Sequence, residues 1–246
     1  MTRSLLAAAA ALVRGTRQRP GGRDGEPTDA AEPSRTTEHG MIGFAVSDSR
    51  FPLDYQPPGE AGRCYRDRLR TGFLDRYCAG ETVLDVGFSG YDNPERKAAL
   101  PDAIGIDVDY PGYDGLHLPF TDESVDTVFS SHCLEHVAFE HAVIQDWYRV
   151  LKVGGFIVCI VPHQGLYEKR RHLPSRWNMD HKRMYTPASL AGAFEAALPM
   201  NGFRIRHLRD NDAGFDYSRG PELHSDGAYE IEIVVEKIQP PAWRLD

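Results

Sequence analysis

From residue 60 onward, apolar positions recur at two spacings that alternate along the chain. Tyr65, Leu69, Phe73, Leu74 and Tyr77 lie at helical intervals, which predicts a helix over 60–79. TVLDV (82–86) is short and rich in β-branched residues, so it reads as a buried strand. A helix is expected to start near Pro94, since proline suits a first helical turn. AIGIDVD (103–109) predicts a second strand, LHLPF (116–120) a short one, and SVDTVFSS (124–131) a longer one. Residues 139–151 have helical periodicity. After Gly154 and Gly155, FIVCIVP is a continuous apolar run, the pattern of a strand covered on both faces. A helix follows at 187–197, then strands near 203–209 and 229–236 with no convincing helix between them, hence an antiparallel pair. Strands alternating with helices predict an α/β fold with a mostly parallel sheet. No internal repeat is visible.

The 246 residues suffice for one sizeable domain. Residues 15–40 are rich in Gly, Pro, Thr, Arg and Glu and nearly free of large apolar side chains, so they cannot bury a core. Residues 1–40 are therefore expected to be a disordered or weakly helical leader, and 41–240 the folded domain. The apolar run Leu5–Val13 is too short to span a membrane. It resembles a signal-peptide core or a transit-like helix in length, but a frayed leader is the reading preferred. A net charge of −8 argues against a protein whose main work is gripping a phosphate backbone. Cys64, Cys78, Cys133 and Cys159 show neither a C-x-x-C pair nor metal-ligand spacing, so they read as reduced thiols of a cytoplasmic protein.

In a parallel sheet, ligands collect beyond the carboxyl ends of the strands, where the strand order reverses. Three strand ends here carry acids or small residues: Asp85 with Gly87 and Gly90, Asp107, and Ser130-Ser131-His132. Gly87 lets backbone approach a ligand closely, and Gly90 tolerates unusual dihedrals. Asp107 lies 22 residues after Asp85, where an acid can accept from both hydroxyls of a ribose. Taken alone, a glycine turn and a downstream acid are equally the marks of a tight turn with solvated carboxylates.

The order of these features is more specific. VLDVGFSG, IGIDVD, DGLHLPFTDESVDTVFSSHCLEHV and WYRVLKVGGFIVCIVP, spread over roughly 60–165, together resemble the class I S-adenosylmethionine-dependent methyltransferases, in their small-molecule and glycan branch (methyltransferase type 11-like). The resemblance implies a Rossmann-like seven-stranded sheet, mostly parallel with an antiparallel last strand, and helices on both faces. It implies S-adenosyl-L-methionine as cofactor, with Asp85 and Gly87 by its methionine end and Asp107 on the ribose hydroxyls. Val108 would lie beside the adenine, Asp114 would meet the adenine amino group next to the Gly115 backbone, and Ser131 and His132 would approach the sulfonium. Ser89 and Tyr91 stand where the family pattern has glycines, which stiffens the loop that carries the Ser89 and Gly90 contacts. Val153 replaces the usual proline.

Two other readings fit less well. A dinucleotide-binding dehydrogenase would need G-x-G-x-x-G, which this loop lacks. Asn93-Pro94 resembles part of the signature of amino-directed nucleic-acid methyltransferases, but it follows the first strand rather than the fourth. His132 and His136, with Glu135 between them, have a spacing that could bind metal on a helix; because His132 ends a strand, Glu135 and His136 are expected to brace the loop, and no metal is expected.

Residues 162–187 hold six Lys/Arg, two acids and three histidines, with Tyr167, Trp177 and Tyr185 interleaved. One reading is a solvated flap whose arginines pair with Asp210, Asp212 and Asp216. The other is a substrate lid for an anionic, hydroxyl-rich acceptor such as a nucleotide-linked sugar, with arginine forks on phosphate. The activity expected is methyl transfer to oxygen, less often nitrogen, of a small molecule or glycan precursor. A non-catalytic relative that keeps the fold for binding is the alternative. The general base is sought among His163 (first choice), His132 and His181. The expected partners are a small-molecule substrate and, as an option, a second copy in a homodimer; neither nucleic acid nor membrane is expected.

Overall fold

In the computed structural model, residues 49–88 and 96–243 are described, and all fall within a compact unit, Ile42–Asp246. The expected leader, Ser89, Gly90, Tyr91 and the helix start near Pro94 lie outside the described residues. Six strands form one sheet: β1 (Val83–Val86), β2 (Ile104–Ile106), β3 (Val125–Ser131), β4 (Leu151–Pro162), β5 (Phe203–Asn211) and β6 (Glu230–Lys237). Their order is β2-β1-β3-β4-β6-β5. β1 pairs in parallel with β2 and with β3, and β3 with β4, whereas β6 runs antiparallel to both β4 and β5. The expected α/β architecture, with its antiparallel last strand, is the one observed; six strands are seen among the described residues rather than seven.

The helices are α1 (Tyr65–Arg70), α2 (Phe73–Tyr77), α3 (Glu140–Val150) and α4 (Pro187–Ala197). Strand side chains alternate between two cores. Leu84, Val86, Val128, Ile157 and Cys159 pack with Val143, Ile144, Trp147 and Val150 of α3 and with Leu190 and Phe194 of α4. Val83, Phe129, Val158 and Ile160 face the other way, onto Tyr65, Leu69, Phe73 and Leu74. Period-two strands thus carry helices on both faces. α4 starts with a capping box between Thr186 and Ser189 and has Pro187 in its first turn.

Four sequence expectations are corrected. The helix over 60–79 breaks into a 3₁₀ turn, Glu60–Gly62, and two short helices, because Gly72 takes a left-handed conformation (φ 70°) and Thr71 Oγ1 donates to the carbonyl of Asp67. The second strand stops at Ile106: the Val108 amide turns onto Asp107 Oδ1 at 2.7 Å, and Tyr110 N donates to the Asp107 carbonyl. LHLPF forms no strand. Its backbone groups bond to side chains of α3, with Leu118 N donating to Asp146 Oδ2 (2.7 Å) and Arg149 donating to the carbonyls of Leu118 and Phe120. β4 also starts earlier than expected, at Leu151, and bulges against β3 through Gly154 (φ 87°) and Gly155.

Candidate functional site

β1 lies between two parallel neighbours, so the carboxyl ends of β1, β2 and β3 open into one crevice, the place this topology reserves for a ligand. Gly87 occupies the turn after β1 with φ 90°, and a Cβ there would lie 2.4 Å from Cys133 Cβ, so no side chain fits. Its amide donates to the Ile106 carbonyl at 2.9 Å, which ties the turn to the end of β2.

Two cavities meet at Gly87. The larger, about 520 Å³, is walled by Asp107, Val108, Asp114 and Gly115 on one side and by Cys133, His136 and Asp180 on the other. The smaller, about 210 Å³, is lined by Glu60, Asp85, Arg96, Lys97, Ser131 and His132. The sequence-derived residues thus divide into a group at the β2 end and a group at the β1 and β3 ends.

Asp85 is buried, and its Oδ2 accepts from the Ala99 amide at 2.6 Å. Burial pushes its pKa up to about 6 against that hydrogen bond, and the charge of Asp107 adds to the rise. Val108 is 73% exposed on the cavity wall. Asp114 Oδ1 accepts from the amides of Leu116 and His117, and Oδ2 pairs with His117 Nδ1 at 3.0 Å. Those bonds hold its carboxyl well below the usual range, and they commit the side chain to its own turn. Gly115 follows with φ 85°. Ser131 Oγ is buried without a hydrogen-bond partner, a polar atom left for a ligand.

His132 has φ 53°, an uncommon conformation for a non-glycine residue, and its ring is wedged at the end of β3. Nε2 lies 3.1 Å from Glu230 Oε1. Burial alone would lower its pKa, but the Glu230 hydrogen bond and the charges of Glu230, Glu135 and Glu60 raise it on balance. His163 and His181 are not brought to these cavity walls. His163 Nδ1 accepts from the amides of Gly165 (2.9 Å) and Leu166 (3.2 Å), and Nε2 faces Asp210 at 3.3 Å, so the ring closes the π-turn after β4. Burial lowers its pKa against the pull of Asp210. His181 is buried and hydrogen-bonded through Nδ1 to Glu168.

In the segment after β4, Arg176 pairs with Glu222, Arg183 with Glu140 and Lys182 with Asp180, in place of the expected Asp210, Asp212 and Asp216. Tyr185 is core, bonded to Glu140, whereas Tyr167 and Trp177 gather around His224, with Tyr229 also on Tyr167. All four cysteines are free, and burial raises the thiol pKa of each. Among the described residues, no helix is long and apolar enough to cross a membrane.

Sequence reasoning missed Arg96, Lys97, Glu60 and Glu230. The first two follow Pro94 without any spacing that marks them as ligands. Glu230 had a readable signal: EIEIVVE places acids at alternate positions of a strand whose other face is Ile231, Ile233 and Val235.

Residues 70–159 match a family described as a methyltransferase domain. A probable S-adenosylmethionine-dependent methyltransferase of Mycolicibacterium smegmatis is 29% identical over 148 residues, covering 54% of this chain and 55% of that protein. A demethylmenaquinone methyltransferase of Roseiflexus castenholzii is 34% identical over 67 residues, covering 27% and 28%. The chain thus spans about half, or less, of the length of these curated relatives. Among solved structures, a chain from the Haloferax volcanii complex of the Trm112 methyltransferase activator with a methyltransferase aligns with TM-score 0.46 at 21% identity, over 67% of this chain and 85% of that one. Residues 70–159 are thus similar to a methyltransferase domain, and the strand order of the chain is that of a Rossmann-like α/β sheet, mostly parallel with antiparallel edge strands.

Proposed function

We propose that the chain binds S-adenosyl-L-methionine across the two cavities that share Gly87 and catalyses methyl transfer to a hydroxyl of a small acceptor. The observation that carries this reading is the division of polar groups between the cavities. Asp107, Val108 and Gly115 suit a nucleoside in the larger one. In the smaller one Asp85 suits an ammonium, Arg96 and Lys97 a carboxylate, and the unpartnered Ser131 hydroxyl a further polar atom of the same ligand. The cofactor supplies a methyl group made electrophilic by positive sulfur; what remains for the protein is alignment and removal of the acceptor's proton.

For that proton His132 is preferred over His163 and His181. It lines the smaller cavity beside Asp85 and Gly87, and Glu230 orients its ring through Nε2, leaving Nδ1 as the acceptor. His163 spends its Nδ1 on backbone amides, and His181 is held by Glu168. The acceptor is placed between His132 and the aromatic residues Tyr229, Tyr167 and Trp177, with the segment 162–187 as its lid; a nucleotide-linked sugar or glycan precursor is the class that stacking surfaces beside basic groups would suit. N-methylation of a small molecule and a purely binding role are the other outcomes.

Calorimetry with S-adenosyl-L-methionine, followed by turnover assays on a panel of nucleotide sugars, tests this reading. Asp107→Ala removes charge-assisted hydrogen bonds of about 1.5–3 kcal/mol each, so cofactor affinity should fall at least about tenfold. Unchanged affinity in a folded variant rejects the assignment. Binding without turnover on any acceptor class favours the purely binding role.

A further inference from the structure

Beside the larger cavity, three side chains from two distant stretches converge on one point. Glu135 sits in the 3₁₀ turn Leu134–His136, is 1% exposed, and has no hydrogen-bond partner on either carboxylate oxygen. Its Oε1 lies 3.8 Å from His136 Nε2 and 3.9 Å from His181 Nε2, too far for a hydrogen bond to either. One donor atom from each of the three residues falls within a common 4.8 Å.

The outer ring nitrogens explain which way the histidines face. His136 Nδ1 lies 3.0 Å from Asp180 Oδ2, and His181 Nδ1 is bonded to Glu168. With Nδ1 held by a carboxylate, each ring turns Nε2 toward Glu135. Two imidazole nitrogens and a buried carboxylate without a hydrogen bond then face one point, with His132 Nδ1 also 3.8 Å from the same Oε1, and a cation there would give Glu135 and the two Nε2 atoms a common partner. Histidines whose second nitrogen is held by a carboxylate are the usual support of a bound metal ion. Ligand atoms about 2.0–2.2 Å from a tetrahedral ion stand roughly 3.4 Å apart, so the two separations from Glu135 Oε1, 3.8 and 3.9 Å, need to close by a few tenths of an ångström, and the widest, within 4.8 Å, by up to about 1.4 Å, a side-chain adjustment of the two imidazoles. The scaffold is already fixed, since the amides of Lys182 and Arg183 donate to the Glu135 carbonyl and hold the His181 stretch against the Leu134–His136 turn.

We infer that Glu135, His136 and His181 form a binding site for a first-row divalent cation of the zinc or manganese type, with Asp180 and Glu168 orienting the two imidazoles. Two nitrogens and one oxygen suit such ions better than calcium or magnesium, and three protein ligands leave coordination positions open. His136 and Asp180 also line the larger cavity, which puts the ion in its wall. The site reverses the expectation of no metal drawn from His132 and His136: the third ligand is His181, 45 residues beyond His136 in the chain. It does not depend on methyl transfer, because ion binding is measured directly.

The test uses untagged full-length protein stripped with a chelator. Zn²⁺, Mn²⁺ or Co²⁺ is then titrated by calorimetry, with the visible spectrum of the Co²⁺ form and the melting temperature recorded in parallel. One equivalent per chain is expected with at least one of these ions, and a melting temperature that rises with ion concentration. Glu135→Gln should abolish stoichiometric binding. Asp180→Asn alters an exposed side chain and so spares the fold; it should weaken binding about 10–100-fold. Absence of stoichiometric binding by the unmodified protein overturns the inference, as does full affinity in Asp180→Asn or in folded Glu135→Gln. If Glu135→Gln does not fold, the Asp180→Asn affinity decides alone. S-adenosyl-L-methionine binding, measured in the same samples, separates failure of this site from failure of the cofactor reading.

Discussion

Asp85 joins burial to ligand choice at a single carboxyl group. Its pKa is pushed up to about 6 by burial and by Asp107, which means that the fold favours its protonated form. Being raised above the unfolded value, it contributes stability that is present at low pH and lost as pH rises through about 4 to 6. A cofactor ammonium would recruit the ionised form, so the linkage to binding has the opposite sense. Cofactor affinity should weaken about tenfold between pH 7.5 and pH 5, and Asp85→Asn should flatten that dependence while lowering affinity at pH 7.5. A pH profile that is the same in both proteins rejects the ammonium contact. His132 makes a complementary test in turnover. His132→Gln keeps a polar group beside Glu230 but provides no base, so affinity for the cofactor should stay near normal while turnover drops by about 10²–10⁴-fold. Unimpaired turnover would remove His132 from the chemistry.

The stretch 107–120 shows where pattern reading stops at the scale of elements. β1, β3 and the apolar part of β4 were legible because burial on both faces leaves unbroken β-branched runs in the sequence. LHLPF is likewise mostly apolar, though without a β-branched residue, and its backbone groups are satisfied by Asp146 and Arg149, two side chains on a helix that starts 20 residues later. A local pattern carries no record of such partners. The same holds for the site: Asp85, Gly87 and Asp107 announced themselves at strand ends, whereas Arg96, Glu230 and the meeting of Glu135 with His181 depend on tertiary placement. Asp146 is accordingly the pin of the 107–120 stretch. It is 6% exposed, accepts from Leu118 N and pairs with Arg149 Nε at 2.7 Å. Asp146→Ala leaves the buried Leu118 amide unpaired and should cost about 1–3 kcal/mol in denaturant unfolding. Because that stretch carries Asp114 and Gly115, cofactor affinity should fall in the same variant. A stability loss without any loss of affinity would detach the 107–120 stretch from the nucleoside cavity.

Across the whole domain, one buried ion cluster joins the helix layer, the sheet and the candidate site. Arg68 of α1, 2% exposed, lies on Glu230 and Glu232 of β6. Asn211 and His207 of β5 bond to Glu232, and Glu230 continues to His132 at the end of β3. Burial would raise the pKa of both carboxylates. For Glu230 the charge of Arg68 and the His132 hydrogen bond win and bring it down to about 2; for Glu232 the His207 hydrogen bond and Arg68 bring it below its ordinary value. Depressed folded-state values mean stability that is fully present above the unfolded pKa of about 4.5 and lost as pH falls toward 2. Arg68→Met keeps much of the side-chain volume but leaves two carboxylates buried against each other, a loss of about 3–5 kcal/mol for removing one partner of a buried ion pair. In urea unfolding at pH 7 the variant should show that loss. It should also show a shallower decline in stability between pH 5 and pH 3, since the depressed carboxylates that cause the decline are no longer held down by Arg68. If the variant is as acid-sensitive as the unmodified protein, the acid dependence arises elsewhere, and the cluster serves to position Glu230 under His132 rather than to hold α1 on the sheet.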